Sequence, residues 1–306
     1  MGKTAAVFPG QGSQVVGMGK ELAEAYPIVA ETFAEADRVL GFSLSRLCFE
    51  GPEEELTLTR NTQPALLAAS VATMRLLQSK GFEPAAAAGH SLGEYSALVA
   101  AGAISFEEAL VTVRVRGELM ESAVPAGQGS MAAILGLPKE EVEALCREVP
   151  GVVEPATYNS PGQVVVAGET GAVAELMKLA EERGARRAQL LKVSGPFHSS
   201  LLKPAGDRLA EQLARISVTG PRIPVYANVT ARPYTSADEI RNLLREQVSS
   251  PVLWESTVEA MLADGIDTFV EVGPGRVLSG LIKRISREAV VYNVDSVATL
   301  EAFLGA

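Results

Sequence analysis

The chain of 306 residues reads as an α/β protein: a mainly parallel sheet covered by helices, interrupted by a small ferredoxin-like unit. Three observations predict this. Short apolar strands alternate with helical stretches in the first third of the chain, which is the signature of parallel strands joined by crossover helices. The texture then changes at "PAGQGS", residues 125–130, and the next segment runs strand, helix, strand, strand, helix, strand, the split βαββαβ pattern. Helix–strand alternation of the first kind resumes after it. The expected organisation is one domain formed by residues 1–126 and 195–306, with 127–194 as an insert.

In order, "TAAVFPG" is an apolar strand that runs into a glycine-rich loop. Helical periodicity follows from about Gly12 to Leu40. "NTQPALLAASVATMRLLQSKG" predicts a helix stopped by Gly81. "AAAAGHSLGEYSALVAAG" predicts strand, sharp turn and helix. "SFEEALVTVRVRGELMESAV" opens with Ser105 and Glu108 in capping-box spacing. The insert consists of "SMAAILGL", "PKEEVEALCREV", "VVEPATYN", "GQVVVAGE", "TGAVAELMKLAEERG" and "RRAQLLKV". Beyond it come a helix from His198 to about Arg215, the strand "IPVYANV", helices through Gln247 and Glu259, the strand "DTFVEVG" and a last helix from Val277.

Composition excludes several classes of function. A formal net charge of −10 repels nucleic acid and anionic membrane surfaces, so neither is an expected partner. The longest apolar run, "PALLAASVATM", is too short to span a bilayer. Two cysteines, far apart and without metal-ligand spacing, point to a reducing, cytoplasmic compartment and to no metal site.

"GHSLG", Gly89 to Gly93, is the single G-x-S-x-G of the chain. With a small-residue strand before it and a helix after it, it suits a nucleophile elbow, in which Ser91 sits on a tight turn facing a helix N-terminus. The alternative is a plain strand-to-helix turn with a capping serine. A serine hydroxyl needs a base, and the chain has two histidines. His90 is the neighbour of Ser91, and adjacent side chains at such a turn point apart, so it reads as structural or substrate-facing. His198, in "SGPFHSS", can approach the same sheet edge from the loop after the insert. Between Leu92 and His198 there is no aspartate. A hydrolase triad would need an acid there, so the pattern favours a Ser–His dyad whose histidine is oriented by a neutral acceptor such as a main-chain carbonyl.

On the helix after Ser105, positions 109, 113, 117, 120 and 124 form an apolar face at 100° steps, with Arg116 on its flank and Arg114 turned outward. A guanidinium against a core needs a partner. That partner is either an internal glutamate or the carboxylate of a ligand.

Together these residues resemble the malonyl-CoA:acyl carrier protein transacylases of fatty-acid synthesis and the related acyltransferase domains of polyketide synthases. The resemblance covers nearly the whole chain: "FPGQGSQ" at 8–14, "TQPAL" at 62–66, "GHSLGEYSAL" at 89–98, "RGELM" at 116–120, "YNSPGQVVVAG" at 158–168, "PFHSSLLKPA" at 196–205, "QVSSPVLW" at 247–254 and "EVGPG" at 271–275. It implies an α/β-hydrolase-like large domain with a ferredoxin-like insert, Ser91 as nucleophile and His198 as base. It further implies a carbonyl of Gln247 as the histidine's partner, Arg116 as the malonyl-carboxylate ligand, Asn159 near the site and Phe197 at the acyl-selecting position. Phe there resembles the malonyl-type polyketide members, whereas stand-alone enzymes often carry Ser. The implied reaction is a ping-pong transfer from malonyl-CoA to the phosphopantetheine thiol of acyl carrier protein. Its oxyanion would rest on the N–H groups of Gln11 and Leu92, and it needs no cofactor. An acidic carrier suggests docking on basic residues, for which "ERGARRAQLLK" offers Arg183, Arg186, Arg187 and Lys192, and "LIKRISR" offers Lys283, Arg284 and Arg287. The rivals are a serine thioesterase or esterase, a nucleotide-binding protein and a non-catalytic carrier-protein scaffold.

The glycine loop "FPGQGSQVVGMGK" argues against the nucleotide reading. It is not G-x-G-x-x-G, and Met18 stands where a phosphate loop would carry lysine. Its glycines suit instead a close approach of the Gln11 amide to an oxyanion.

Overall fold

The computed structural model describes residues 2–305. Among them are nine strands: β1 (Lys3–Phe8), β2 (Ala86–Gly89), β3 (Gly129–Leu135), β4 (Val153–Ser160), β5 (Gln163–Glu169), β6 (Arg187–Leu190), β7 (Val225–Tyr226), β8 (Ile266–Val272) and β9 (Val290–Val294). Five form a parallel sheet in the order β7-β2-β1-β8-β9. The other four form an antiparallel sheet in the order β4-β5-β3-β6.

Strand alternation sorts the core into two layers. Ala6 and Phe8 of β1 and Ala87 of β2 face one apolar cluster, while Ala5, Val7, Ala86 and Ala88 face another. Both faces of the parallel sheet are therefore covered, which is why its central strands read as unbroken apolar runs. The first cluster takes in the helix Thr59–Ser79, buried along almost its whole length. The antiparallel sheet has its own core, built with the helices Lys139–Glu148 and Thr170–Glu182. β4 is tied to the segment just before the helix Trp254–Ala263 by main-chain bonds: Tyr158 N donates to Val252 O at 2.9 Å, and Val252 N to Ala156 O at 2.9 Å.

Several element boundaries differ from the sequence reading. Residues 12–19 form turns, not helix, and the first helix begins at Lys20; left-handed glycines at 12, 17 and 19 keep that stretch from winding up. The helix Phe106–Ser122 ends before Val124, with Ser105 Oγ accepting from Glu108 N at 3.2 Å as its cap. His198 lies in a turn, and the following α-helix spans Lys203–Leu213. After Val277–Ile285 the chain adds β9 and the helix Val297–Leu304, two elements the sequence reading lacks.

Candidate active site

The site forms where β1 and β2 end side by side. His90 N donates to Phe8 O at 3.0 Å, so the glycine loop and the Ser91 turn leave the sheet as neighbours. Glycines make this contact possible. A Cβ on Gly10 would stand 2.4 Å from His90 O, one on Gly93 2.1 Å from Phe8 O, and one on Gly89 1.9 Å from the Gly93 carbonyl carbon. A side chain at Gly10 or Gly93 would push the two loops apart, and one at Gly89 would open the Ser91 turn itself.

Ser91 has φ 51°, in the left-handed region. A serine there is strained and must be held by its surroundings. Asn228 supplies the hold: its Oδ1 accepts from Ser91 N at 2.7 Å and its Nδ2 donates to Gly89 O at 2.7 Å, bracing both sides of the turn. His198, at φ 61°, is the second left-handed non-glycine residue of the site. Its Nδ1 lies 2.7 Å from the main-chain oxygen of Gln247 and its Nε2 2.8 Å from Ser91 Oγ. A carbonyl only accepts, so Nδ1 carries the proton and Nε2 presents a lone pair to the serine hydroxyl. Burial, and next the charge of Arg116, pull the His198 imidazole down to about 3.

Arg116 is 1% exposed and makes no ion pair among the described residues. Its guanidinium donates to Gln63 Oε1 at 2.8 Å, Gln247 Oε1 at 3.0 Å and Ser91 Oγ at 3.1 Å, while Nε has no partner. Of the two partners the sequence left open, the glutamate is therefore not in direct contact. The nearest arrangement is indirect: the Gln247 side chain turns its oxygen to Arg116, and its Nε2 donates to Ser91 O at 3.0 Å and to Glu94 Oε2 at 2.7 Å. Arg114, read as outward-facing, is partly buried and donates to Glu118 Oε1 at 2.9 Å.

Ser91, His198 and Arg116 line a cavity of about 350 Å³. Gln11, His90, Leu92, Asn159 and Phe197 also line it, as does Lys192. His90 Nε2 donates to Asn159 Oδ1 at 2.8 Å, and desolvation lowers its basicity. One wall is the helix Val277–Ile285, whose N-terminus is capped by Glu271 through Leu278 N at 3.0 Å and Ser279 N at 2.7 Å. That cap gives the motif "EVGPG" its physical sense.

The same helix carries basic residues outward. Arg186, Lys283, Arg284 and Arg287 surround a second, exposed groove of about 400 Å³. Gln163 lines both the groove and the cavity and accepts from Arg284. Arg183 stands apart, paired to Glu141 at 2.8 Å and Glu148 at 2.9 Å.

Sequence reasoning missed Asn228, Gln63 and Glu94 as parts of the site. Gln63 and Glu94 lie inside quoted motifs, "TQPAL" and "GHSLGEYSAL", but nothing local shows that they meet Arg116 and Gln247. Asn228 has no local signal at all.

Comparison with known proteins agrees over almost the whole length. The acyl transferase domain family matches residues 6–301. The malonyl CoA-acyl carrier protein transacylase of Bacillus subtilis (strain 168) is 49% identical over 304 residues, 98% of this chain and 96% of the relative. That of Escherichia coli (strain K12) is 51% identical over 288 residues, 93% of each. Among solved structures, an acyl carrier protein S-malonyltransferase from Vibrio cholerae superposes with TM-score 0.96 at 51% identity, covering 98% of this chain and 99% of the other. A malonyl-transacylase solved in complex with a type II polyketide acyl-carrier protein superposes with TM-score 0.97 at 49% identity, covering 99% of each.

Proposed function

Because this chain belongs to the malonyl CoA-acyl carrier protein transacylases of the acyl transferase family, we propose that it moves malonyl groups from malonyl-CoA to the thiol of acyl carrier protein, through an ester on Ser91. The observation that carries the reading is the convergence on one oxygen: Ser91 Oγ lies 2.8 Å from His198 Nε2 and 3.1 Å from an Arg116 nitrogen inside one cavity. A base and a carboxylate ligand thus meet at the nucleophile.

On this reading His198 takes the Ser91 proton as Oγ attacks the thioester carbon. The C–S bond then breaks, and the CoA sulfur leaves with that proton. The carrier thiol returns by the same route, its proton going to His198 and then to Ser91 Oγ. The N–H groups of Gln11 and Leu92 face the developing oxyanion, each such donor contributing about 3 kcal/mol. Arg116 holds the malonyl carboxylate, which offsets the charge that weakens His198 as a base. None of these steps calls for a metal or redox cofactor.

The groove of Arg186, Lys283, Arg284 and Arg287, with Arg187 paired to its Leu135 wall and Lys192 on the wall of the Ser91 cavity, is the surface we assign to the acidic carrier. Its continuity with the cavity through Gln163 supports this. We read residues 127–194 as a ferredoxin-like insert in an α/β-hydrolase-like domain of 1–126 and 195–306, supported by the strand order β4-β5-β3-β6. The two free cysteines, and the finding that no described helix is long and apolar enough to cross a membrane, accord with a cytoplasmic site of action.

Intact-mass measurement tests the chemistry. Wild type incubated with malonyl-CoA gains one malonyl group, and Ser91→Ala gains none. An adduct that persists in Ser91→Ala, or one that water removes faster than a carrier thiol does, would overturn the reading in favour of another nucleophile or a thioesterase.

A further inference from the structure

Glu94 sits three residues beyond the nucleophile and is 1% exposed. A buried carboxylate survives by accepting hydrogen bonds, and this one has three donors. The Tyr234 hydroxyl donates to Oε1. Asn228 N at 3.0 Å and Gln247 Nε2 at 2.7 Å donate to Oε2. The third of these matters most, because the other end of the same amide accepts from Arg116 at 3.0 Å. The Gln247 amide therefore stands between a buried cation and a buried anion with its dipole aligned to both.

We propose that Glu94 is the counter-charge of Arg116, acting through the Gln247 amide, and that a carboxylate bound on Arg116 competes with it. Loading a malonyl group then drives a proton from solvent onto Glu94, whereas loading an acetyl group does not. Glu94 is a positioning residue in this scheme: it touches no reacting atom, and it sets the orientation of Gln247 and the charge left over on Arg116. The inference rests on Arg116 being the malonyl ligand.

The charged and titratable groups facing Glu94 are few. Arg116 comes from the helix Phe106–Ser122 and Tyr234 from the segment after β7, with Tyr95 beside it on its own helix. Glu239 lies beyond Tyr234. Burial raises both tyrosines, Tyr234 well above its ordinary range, and Arg116 stays charged near neutrality. Glu94 is thus the group of this set that titrates near neutrality, pushed up by burial to about 7. The sign follows. As pH falls through about 7, Glu94 takes a proton and the competing anion disappears. The ratio of kcat/KM for malonyl-CoA over acetyl-CoA therefore rises.

The test counts protons against adduct. Wild-type enzyme is mixed with malonyl-CoA or acetyl-CoA in weakly buffered solution at pH 7 with an indicator dye, and the adduct is weighed. Acyl transfer to serine releases a CoA thiol that stays mostly protonated at this pH, so the chemistry itself contributes little. The expected result is uptake of a measurable fraction of a proton per malonyl adduct and none per acetyl adduct. A malonyl adduct formed without uptake overturns the proposal while leaving the transacylase reading intact. Failure to form the adduct strikes that reading, and the proposal with it.

Glu94→Gln removes the charge and keeps the shape, since its amide oxygen can serve Gln247 and Asn228 while its nitrogen donates to the Tyr234 oxygen. This variant is expected to lose the proton uptake and to lower the malonyl-CoA KM by about fivefold, through loss of a nearby like charge. Its acetyl-CoA KM moves by less than the malonyl-CoA KM, so the ratio of malonyl to acetyl KM falls. Equal change in both KM values, or in neither, overturns the proposal. Tyr234→Phe supplies an independent check, because losing one donor moves the pH midpoint of the malonyl-to-acetyl ratio upward. A midpoint that does not move counts against Glu94.

Discussion

The molecule carries two sets of cations within reach of one cavity, and they are built on opposite principles. Arg116 is buried, held by two glutamine oxygens and Ser91 Oγ, with a carboxylate one amide away. Arg186, Lys283, Arg284 and Arg287 are exposed around a groove, and none of them is in an ion pair among the described residues. A buried guanidinium has already given up its water and is fixed in direction, so a ligand carboxylate meets it at full strength and in one geometry. An exposed cluster keeps its water and its freedom, so it attracts without fixing a pose. The first arrangement suits selection of an acyl group and the second suits recruitment of a large acidic partner. Substitutions in the two regions should differ in size, in substrate dependence and in response to salt.

The largest effect belongs to the buried region. His198→Ala removes the base we propose for Ser91 Oγ, and loss of a general base costs about 10²–10⁴-fold in rate. The loss should be the same for malonyl and acetyl thioesters, measured as the rate of adduct formation. Arg116→Ala comes next. Truncating one side of a buried charged contact costs about 2–5 kcal/mol, which is a fall of about 30- to 4,000-fold in malonyl kcat/KM with acetyl transfer relatively spared. Equal falls for both donors would mean that Arg116 serves the fold or the dyad, not the carboxylate, and the contrast between the two regions would collapse.

How much of this could be read from the sequence depends on the range of the signal. The Ser91 turn is local, a glycine pattern between a strand and a helix, and helical spacing alone places Arg116 against the core. His198 emerges by elimination, since the chain has two histidines. The parallel sheet and the four strands of the antiparallel sheet follow from alternation along the chain. Asn228, Gln63 and Glu94 could not be found this way. Each acts on a residue brought to it by folding: Asn228 on Ser91, Gln63 on Arg116, Glu94 on Gln247. A polar residue buried by tertiary packing looks in the sequence like any polar residue. The errors in element boundaries have the opposite origin. Residues 12–19 carry apolar spacing that suggests a helix, but their positive-φ glycines favour turns. β9 is only partly buried and short, so its alternation is too weak to separate from a loop.

The smallest effect is expected on the surface. In Arg284→Ala/Arg287→Ala, two exposed cations are lost, and such contacts contribute roughly 0.2–1 kcal/mol each. The carrier-protein KM should rise about two- to thirtyfold at low ionic strength. The difference should fade near 0.5 M salt, where the screening length is well below about 8 Å. Because CoA carries phosphates of its own, the first half-reaction is measured with malonyl-N-acetylcysteamine, a thioester without them, and its rate of adduct formation should not change. The Arg116→Ala defect, by contrast, should persist at high salt, since screening ions do not enter a buried contact. If the groove variant slowed adduct formation from this small thioester, the groove would be part of the acyl site. If its carrier KM were unchanged at low salt, the carrier would dock elsewhere, and the exposed cations would be a solvated face.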